Sequence, residues 1–186
     1  MKIKTWLSTF IGVLIFSSAS QANKLDIMLG GFVLEAETNS VSDSASGFGS
    51  YHINYGVNLH KGLDLALGYS LLMSKGIGGD LGFGFDLGFQ YFPFTPSSQV
   101  TASTENSFLS LNPLWRPFVG TGFVQRQFQS VSSNYAGFSF SAGAEKALDS
   151  NFDFKGLIRF SLLNGPGSAT ASETTIILGI TLPFSI

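Results

Sequence analysis

Residues 81–91 alternate between apolar side chains and small or polar ones at every position. Because successive side chains of a β-strand point to opposite faces, the alternation predicts a strand with one apolar face and one polar or tightly packed face. A chain built from such strands folds as a soluble barrel with the apolar face inside or as a membrane barrel with that face outside. The apolar face carries Leu81, Phe83, Phe85, Leu87, Phe89 and Tyr91.

The amino-acid composition favours the membrane barrel. Charged residues make up 12% of the chain, about half the share of roughly 25% in ordinary soluble domains. Hydrophobic residues make up 44%. Turning the second face of the strand toward water would expose a surface rich in glycine, which weakens a strand through lost packing and backbone entropy. We therefore expect the apolar face to contact lipid and the glycine-rich face to line a narrow lumen.

The N-terminal segment has the pattern of a secretory signal. Lys2 and Lys4 precede an apolar run over residues 6–16, and the small-x-small site Ser20-Gln21-Ala22 follows. The run is shorter than the ~20 residues that a spanning helix needs. We predict a cleaved signal peptide of residues 1–22 and a single barrel domain of residues 23–186. The chain has no cysteine, so residue 23 is no lipid acceptor and the chain holds neither a disulfide nor a thiolate metal site.

About eight alternating segments follow the signal, each close to the ~9–11 residues of a tilted membrane strand. The sequence therefore predicts an all-β fold, a closed antiparallel eight-stranded transmembrane β-barrel with an up-and-down meander. His60-Lys61-Gly62 reads as a tight hairpin turn. Residues 95–114, rich in Ser and Thr, read as one long connection with room for a hidden strand. The loops at the end away from the termini are expected at residues 37–46, 75–79, 129–135 and 164–173.

The chain resembles the small eight-stranded bacterial outer-membrane barrels of the opacity-protein and outer membrane protein A or X type. The residues 116–122, Arg-Pro-Phe-Val-Gly-Thr-Gly, are similar to the opening of the fifth strand in those families, and residues 142–145, Ala-Gly-Ala-Glu, are similar to the sixth. The last strand resembles the signal read by the outer-membrane assembly machinery. Those families commonly end in an aromatic residue, whereas this chain ends in Ile186 with Phe184 two positions earlier.

Charged residues on the predicted inner face are the main candidates for a functional site. A lumen formed by eight strands is about wide enough to be filled by side chains, and buried charges must be paired. We expect these charges to form a structural network of salt bridges and hydrogen bonds. The predicted network comprises Asp64, Asp80, Asp86, Arg126, Glu145, Asp153, Lys155 and Arg159.

Aromatic residues with a polar atom are candidates for the girdle at the membrane interface, where an amphipathic ring lies at headgroup level. The alternative is that they are ordinary lipid-facing bulk. The girdle candidates are Tyr51, Tyr55, Tyr69, Tyr91 and Trp115.

Four functions remain open at this point. The first is a structural or surface-interaction role in the cell envelope, and the second is a narrow channel for ions or small solutes. The third is a lipid-modifying enzyme, for which His52, Ser70 and either Asp64 or Asp86 would supply base, nucleophile and orienting group. The fourth is a soluble periplasmic barrel that binds a lipid. The chain lacks the His-x-Ser-Asn element of barrel deacylases, because no histidine precedes residues 132–134.

The first of these functions is our prediction, and it comes with no catalytic residue, metal ligand or cofactor. The expected partners are outer-membrane lipids and, through the C-terminal strand, the assembly machinery of that membrane. The net charge of −2 becomes −4 once Lys2 and Lys4 leave with the signal, which argues against a nucleic-acid partner. We expect a monomer in the outer membrane.

Overall fold

The described part of the chain forms ten β-strands in a computed structural model. The description covers residues 23–38, 41–60, 62–73, 81–94, 100–104, 107–111, 115–128, 133–148 and 152–184. The predicted signal peptide, Asp80, the loop 75–79 and Ile186 lie outside these residues. In the described part, no helix is long and apolar enough to span a membrane. The strands are β1 (Asn23–Thr38), β2 (Val41–His60), β3 (Leu63–Met73), β4 (Leu81–Tyr91), β5 (Val100–Thr104), β6 (Ser107–Leu111), β7 (Trp115–Phe128), β8 (Ser133–Ala147), β9 (Asp153–Asn164) and β10 (Thr170–Phe184).

Eight of these strands close into a barrel. Every neighbouring pair is antiparallel, in the order β1-β2-β3-β4-β7-β8-β9-β10, and β10 pairs with β1. Strands that follow one another in the sequence are neighbours in the barrel, apart from one insertion between β4 and β7. The predicted all-β meander of eight strands is confirmed.

The stagger of the strands fixes the width of the barrel. A path from Ile27 on β1 through the paired residues of all eight strands passes Thr170 on β10 and returns to β1 at Glu37, ten residues above its start. Such a shift accompanies strands tilted by roughly 35–45° and an interior filled by side chains.

Both ends of the barrel domain lie at the same end of the barrel, since Asn23 at the start of β1 pairs with Phe184 at the end of β10. The turn between β2 and β3 lies there too. Gly62 in this turn has φ 78°, a left-handed conformation that glycine adopts without steric cost. Its carbonyl oxygen accepts a 2.6 Å hydrogen bond from the backbone N–H of Phe92. We call this end the terminal end and the opposite one the distal end.

A β-bulge in β2 shows that the predicted loop 37–46 is wrong. The register between β1 and β2 shifts between Gly30 and Phe32. On the terminal side of this shift, the buried residue of β2 is Ser50, whereas on the distal side it is Ala45. The inward-facing residues of β2 therefore change from even to odd numbers. The alternation therefore breaks at Gly47-Phe48-Gly49, and the distal part of the strand no longer fits the pattern of the first part. Residues 41–46 belong to β2, and Phe48 at the bulge is 97% exposed.

The insertion between β4 and β7 contains strands where the sequence predicted one long connection over residues 95–114. Strands β5 and β6 pair with each other, from Val100 with Leu111 to Thr104 with Ser107, in a sheet separate from the barrel. Each strand has only five residues, too few for an alternating pattern to stand out. The predicted loops 129–135 and 164–173 are likewise shorter than expected, because β8 begins at Ser133 and β10 at Thr170.

The outer face of the barrel carries a continuous apolar surface. Many large hydrophobic side chains point outward from the middle of their strands and are between about two fifths and two thirds exposed. The alternate residues on the same strands are buried in the lumen. The outward residues include Ile27, Leu29, Ile53, Phe85, Phe123, Phe138, Phe140, Ile158, Phe160, Ile176 and Leu178.

Gly179→Ala is expected to weaken closure of the barrel, because the added Cβ would overlap the carbonyl oxygen of Ile27 and the Cα of Met28 on the neighbouring strand β1. Overpacking of this kind typically costs about 1–3 kcal/mol. Denaturant unfolding of the refolded barrel measures the loss. Gly156→Ala is the matched control, since its Cβ would meet only the Leu178 side chain, which can move aside. An equal stability for the two variants would contradict this account of the seam.

Candidate functional site

The polar side chains of the lumen form two separate clusters at different heights. The Arg126 cluster lies in the distal half of the barrel and comprises Ser50, His52, Asp86, Arg126, Arg159, Glu173 and Thr175. The Glu145 cluster lies toward the terminal end and comprises Lys24, Asp26, Asn58, Asp64, Gln90, Arg116, Glu145, Asp153, Lys155 and Thr181.

Two arginines and two carboxylates form the centre of the Arg126 cluster. The Arg126 side chain is fully buried and donates to Glu173 through Nε at 2.6 Å and Nη2 at 2.9 Å. Its Nη1 donates to Asp86 at 2.7 Å. Arg159 contacts the same two acids, at 2.9 Å from Asp86 and 3.4 Å from Glu173, and Thr175 donates to Glu173 at 3.0 Å. Each carboxylate therefore bridges both guanidinium groups, and the four charges cancel.

His52 lies at the edge of this cluster, and its partner is Ser50 and not Ser70, which the enzyme alternative requires. The hydroxyl of Ser50 is 2.7 Å from His52 Nε2, and Asp86 Oδ2 is 3.7 Å from His52 Nδ1. Ser70 pairs with His52 across the strands, but its hydroxyl has no hydrogen-bond partner among the described residues. Ser50, Ser70 and His52 are at most 1% exposed, so all three side chains are buried inside the lumen.

Glu145 is the centre of the second cluster, and it is fully buried. Its carboxylate lies 2.8 Å from Lys24 Nζ, 3.0 Å from Lys155 Nζ and 2.5 Å from Arg116 Nη2. Lys24 also contacts Asp64 at 2.7 Å. One carboxylate on β8 thus joins cations from β1, β7 and β9, which ties non-adjacent strands together across the lumen.

Lys155 extends the Glu145 cluster toward Asp26 and Gln90. Its ammonium group donates to Asp26 Oδ2 at 2.7 Å and to Gln90 Oε1 at 2.9 Å. Thr181 donates to the other oxygen of Asp26 at 2.7 Å. These contacts leave all three hydrogens of the Lys155 ammonium with acceptors once Glu145 is included, as a fully buried cation requires.

The terminal rim of the Glu145 cluster is open to solvent. Asp153 lies 3.4 Å from Arg116, and their side chains are 16% and 29% exposed. Asn58 donates to Asp64 at 2.8 Å. The cluster has four carboxylates and three cations, so it carries one more acidic than basic group.

Buried apolar side chains pack in the lumen on both sides of the Arg126 cluster. The distal plug consists of buried side chains from six strands. The basal layer reaches the terminal end, where Phe92 packs on Phe118 with ring centroids 5.2 Å apart and Lys24 Nζ lies 4.5 Å from the Phe92 centroid. The distal plug comprises Phe32, Leu34, Ala45, Leu72, Val124, Phe128, Leu163 and Ala171. The basal layer comprises Met28, Phe92, Phe118, Leu157 and Ile177.

The structure brings most of the predicted charged residues into these clusters. Asp86, Arg126 and Arg159 meet in the Arg126 cluster, and Asp80 lies outside the described residues. The Glu145 cluster holds the remaining four, Asp64, Glu145, Asp153 and Lys155.

Sequence reasoning did not assign several members of the network. Glu173 lies within the predicted loop 164–173, although the inward positions Ala171, Glu173 and Thr175 continue the alternation of β10. Arg116 belongs to the family-like motif of residues 116–122, Lys24 lies at the predicted start of the domain, and Gln90 is an uncharged residue of the polar face of β4. None of these three is in the predicted network of charges.

The girdle candidates lie at different heights on the barrel. Trp115 begins β7, Tyr91 ends β4, and Lys146 Nζ lies 5.5 Å from the Trp115 ring centroid. Tyr55 packs on Phe184 at the terminal end, with ring centroids 6.0 Å apart. These three aromatic residues lie near the terminal edge of the apolar surface.

Tyr51 and Tyr69 lie elsewhere. Tyr51 pairs with Leu29 and Leu71, and Tyr69 pairs with Ile53 and Phe85. Both tyrosines therefore lie in the middle of the apolar surface and not at its edge. An alternating pattern reports which face a residue occupies and carries no information on its height.

Solved structures share this architecture. Neisserial surface protein A aligns with a TM-score of 0.59 and 12% identity, covering 88% of this chain and 97% of that chain. The N-terminal β-barrel domain of OprF from Pseudomonas aeruginosa aligns with a TM-score of 0.52 and 16% identity, at the same coverage. The chain has the fold of the small eight-stranded outer-membrane β-barrels. No protein-family model and no curated protein sequence matches it.

The outer-membrane barrel fold also occurs in an enzyme. The outer membrane protease OmpT of Escherichia coli aligns with a TM-score of 0.50 and 6% identity, covering 90% of this chain and 98% of that chain. At such identities the likeness concerns the fold alone.

Proposed function

We propose that this protein is a monomeric β-barrel of the bacterial outer membrane with a closed lumen and a structural or surface-interaction role in the envelope. One observation carries the proposal: the barrel has an apolar outer surface around a lumen that paired charges and a distal plug of buried apolar side chains occupy. Lipid contact with that outer surface requires every backbone group to be paired within the sheet, which the closed barrel provides.

The paired charges favour a structural role for the lumen. Arg126, Glu145 and Lys155 have no exposed surface, and an unpaired charge in such a place would cost several kcal/mol. Their contacts join β1, β4, β7, β8, β9 and β10 across the barrel. The network thus fixes the relative positions of strands that share no backbone hydrogen bonds.

The distal plug argues against the channel alternative. A conducting lumen needs a continuous hydrated path, and apolar constrictions block ions by excluding water. Leu72 and Phe128 in the plug are 1% and 6% exposed. We expect the purified barrel to give no unitary conductance in planar lipid bilayers.

The double variant Leu72→Ala/Phe128→Ala truncates two side chains of the plug. Because the Arg126 cluster and the basal layer still occupy the lumen beneath the plug, this variant is expected to stay silent, like the outer-face control Leu71→Ala/Phe85→Ala. Unitary conductance of the unmodified protein that the plug variant enlarges and the control leaves unchanged would favour the channel and refute the closed lumen.

The distal end offers the surface for contacts outside the cell. Strands β1 and β2 extend there beyond the bulge, and Phe48 is exposed on this extension. An open cavity of about 600 Å³ is lined by Glu35, Glu37, Ser42, Thr170 and Ser172 together with the apolar Ala36, Leu162, Leu163 and Ala171. This mixed surface, which carries two carboxylates, supports a surface-interaction role.

The location and the partners belong to the same proposal. The signal peptide of residues 1–22 would direct export, the apolar outer surface would contact outer-membrane lipids, and the last strand would be read by the assembly machinery. A cell fractionation with mass determination of the mature chain tests export and cleavage. The expected result is the mass of a chain that begins at Asn23, and the mass of a chain that retains residues 1–22 would contradict the predicted cleavage.

A further inference from the structure

The insertion between β4 and β7 lies at the terminal end of the barrel, because β4 ends there and β7 begins there. In the described part of the chain, its strands β5 and β6 pair only with each other and make no extended contact with a barrel strand. A two-stranded hairpin on its own is marginally stable in water. The hairpin therefore needs a partner that the described barrel strands do not supply.

The register of the hairpin gives it one apolar and one polar face. Directly paired residues of antiparallel strands lie on the same face, and successive residues alternate between the faces. The apolar face carries Val100, Ala102, Leu109 and Leu111, and Thr104 and Ser107 complete it beside the turn. The opposite face carries Thr101, Ser103, Phe108 and Ser110. The hairpin is thus amphipathic, and its apolar half is the half next to the barrel.

The insertion has few charges. Residues 92–114 contain a single charged residue, Glu105, which lies between the two strands in the sequence. Ordinary soluble domains have roughly 25% charged residues. A segment of this composition can enter the boundary between headgroups and acyl chains without carrying a charge of either strand into it.

The insertion is continuous with the lipid-facing surface of the barrel. Tyr91 at the end of β4 and Trp115 at the start of β7 are 52% and 50% exposed, and Phe94 at the start of the insertion is 55% exposed. Exposed aromatic residues at the edge of an apolar surface are typical of the headgroup level of a bilayer. Because the chain leaves and rejoins the barrel at this level, lipid is the partner that its apolar face meets first.

Two features keep the hairpin at the surface of the bilayer. Each strand has five residues, which extend over about 17 Å, less than the ~25 Å apolar band of a membrane barrel. The outer edges of β5 and β6 have no ladder partner among the described residues, and unpaired backbone groups are excluded from the hydrocarbon core. At headgroup depth, water pairs these groups while the apolar face reaches the acyl boundary.

We infer that the β5–β6 hairpin lies along the membrane surface at the terminal end, with the face of Val100, Ala102, Leu109 and Leu111 on the lipid. The hairpin extends the lipid contact of the barrel from its wall onto the surface of one leaflet. The inference rests on the proposed membrane location of the barrel.

Single-cysteine variants labelled with a fluorophore measure which face contacts lipid, since the chain has no cysteine of its own. The labels are placed at Leu109 and Ser110, neighbours on opposite faces of β6, and the barrel is refolded into lipid vesicles. Leu109→Cys is expected to lose more fluorescence to a lipid with a nitroxide near its headgroup, and Ser110→Cys more to iodide on both sides of the membrane. Ala102→Cys and Thr101→Cys repeat the comparison on β5, so a single variant that disturbs the hairpin does not decide the result.

Phe140→Cys on the outer wall of the barrel is the reference label, quenched by a nitroxide at the end of the acyl chain. Equal quenching of the two hairpin faces, with Phe140→Cys quenched from the lipid, would overturn the inference and leave the membrane barrel intact. A label at Leu109 that neither agent reaches would mean that protein covers this face, a second copy included, and would also overturn it. If iodide quenches Phe140→Cys, the membrane location fails and the inference fails with it.

Discussion

Arg126→Met is expected to lower the free energy of unfolding by about 3–5 kcal/mol, the range for removing one partner of a buried ion pair. The methionine side chain is of similar length and keeps the apolar contacts of the arginine stem. Glu173, which has no exposed surface, would then keep only one ion pair, the 3.4 Å contact with Arg159. Asp86 would also lose its 2.7 Å partner. Equilibrium unfolding in urea, in the detergent or vesicles used for refolding, measures the change.

The double variant Arg126→Met/Glu173→Met is the control for this prediction. It removes one cation and one anion together, so Asp86 and Arg159 remain as a balanced pair at 2.9 Å. We expect it to be more stable than Arg126→Met alone, because no buried carboxylate is left without its main cation. If the double variant loses at least as much stability as the single one, the pairing of charges is not what Arg126 contributes.

Phe140→Arg is expected to destabilise the membrane-inserted barrel by about 2–4 kcal/mol, the cost of an arginine on the lipid face near the midplane. Phe140 is 58% exposed and pairs with Thr121 and Phe160 in the middle of the apolar surface. If the barrel were soluble, an arginine at this exposed position would face water and change stability by no more than about 0.5 kcal/mol. Unfolding from lipid vesicles in guanidinium chloride separates the two outcomes.

Gln127→Arg is the matched variant for this comparison. Gln127 lies on the same outer face, one residue before the distal end of β7, where an arginine near the interface costs only about 0–1 kcal/mol. In a bilayer, the cost of an arginine depends on its depth, so we expect a large loss of unfolding free energy for Phe140→Arg and a small loss for Gln127→Arg. Equal losses at both positions would contradict the proposed membrane depth of Phe140.

Strand faces could be predicted from the sequence where the alternation is unbroken. In β4, Phe85 and Phe89 point outward and Gln90 is buried, as residues 81–91 predicted. In β9, Lys155 and Arg159 point inward, and Ile158 and Phe160 on either side of Arg159 point outward. Period-two burial is a local property of the backbone, so it needs no knowledge of the partner strands.

Features that depend on pairing could not be predicted in this way. The bulge at Gly47-Phe48-Gly49 reverses the faces of β2, and the local sequence shows only two glycines around an aromatic residue. The contacts of Glu173 with Arg126 and Arg159 join β10 to β7 and β9, and a pattern along one strand does not state which charge on another strand lies opposite. The height of Tyr69 on the barrel follows from the stagger of all eight strands.

The central claim is that the apolar face contacts lipid and the charged face lines the lumen. We would test it by washing membranes that contain the protein with alkaline carbonate and running the retained material on a gel with and without boiling. The account predicts that the protein stays with the membranes and that its mobility changes on boiling, as a folded barrel opens. Release into the carbonate supernatant would contradict the claim and would favour a soluble lipid-binding barrel.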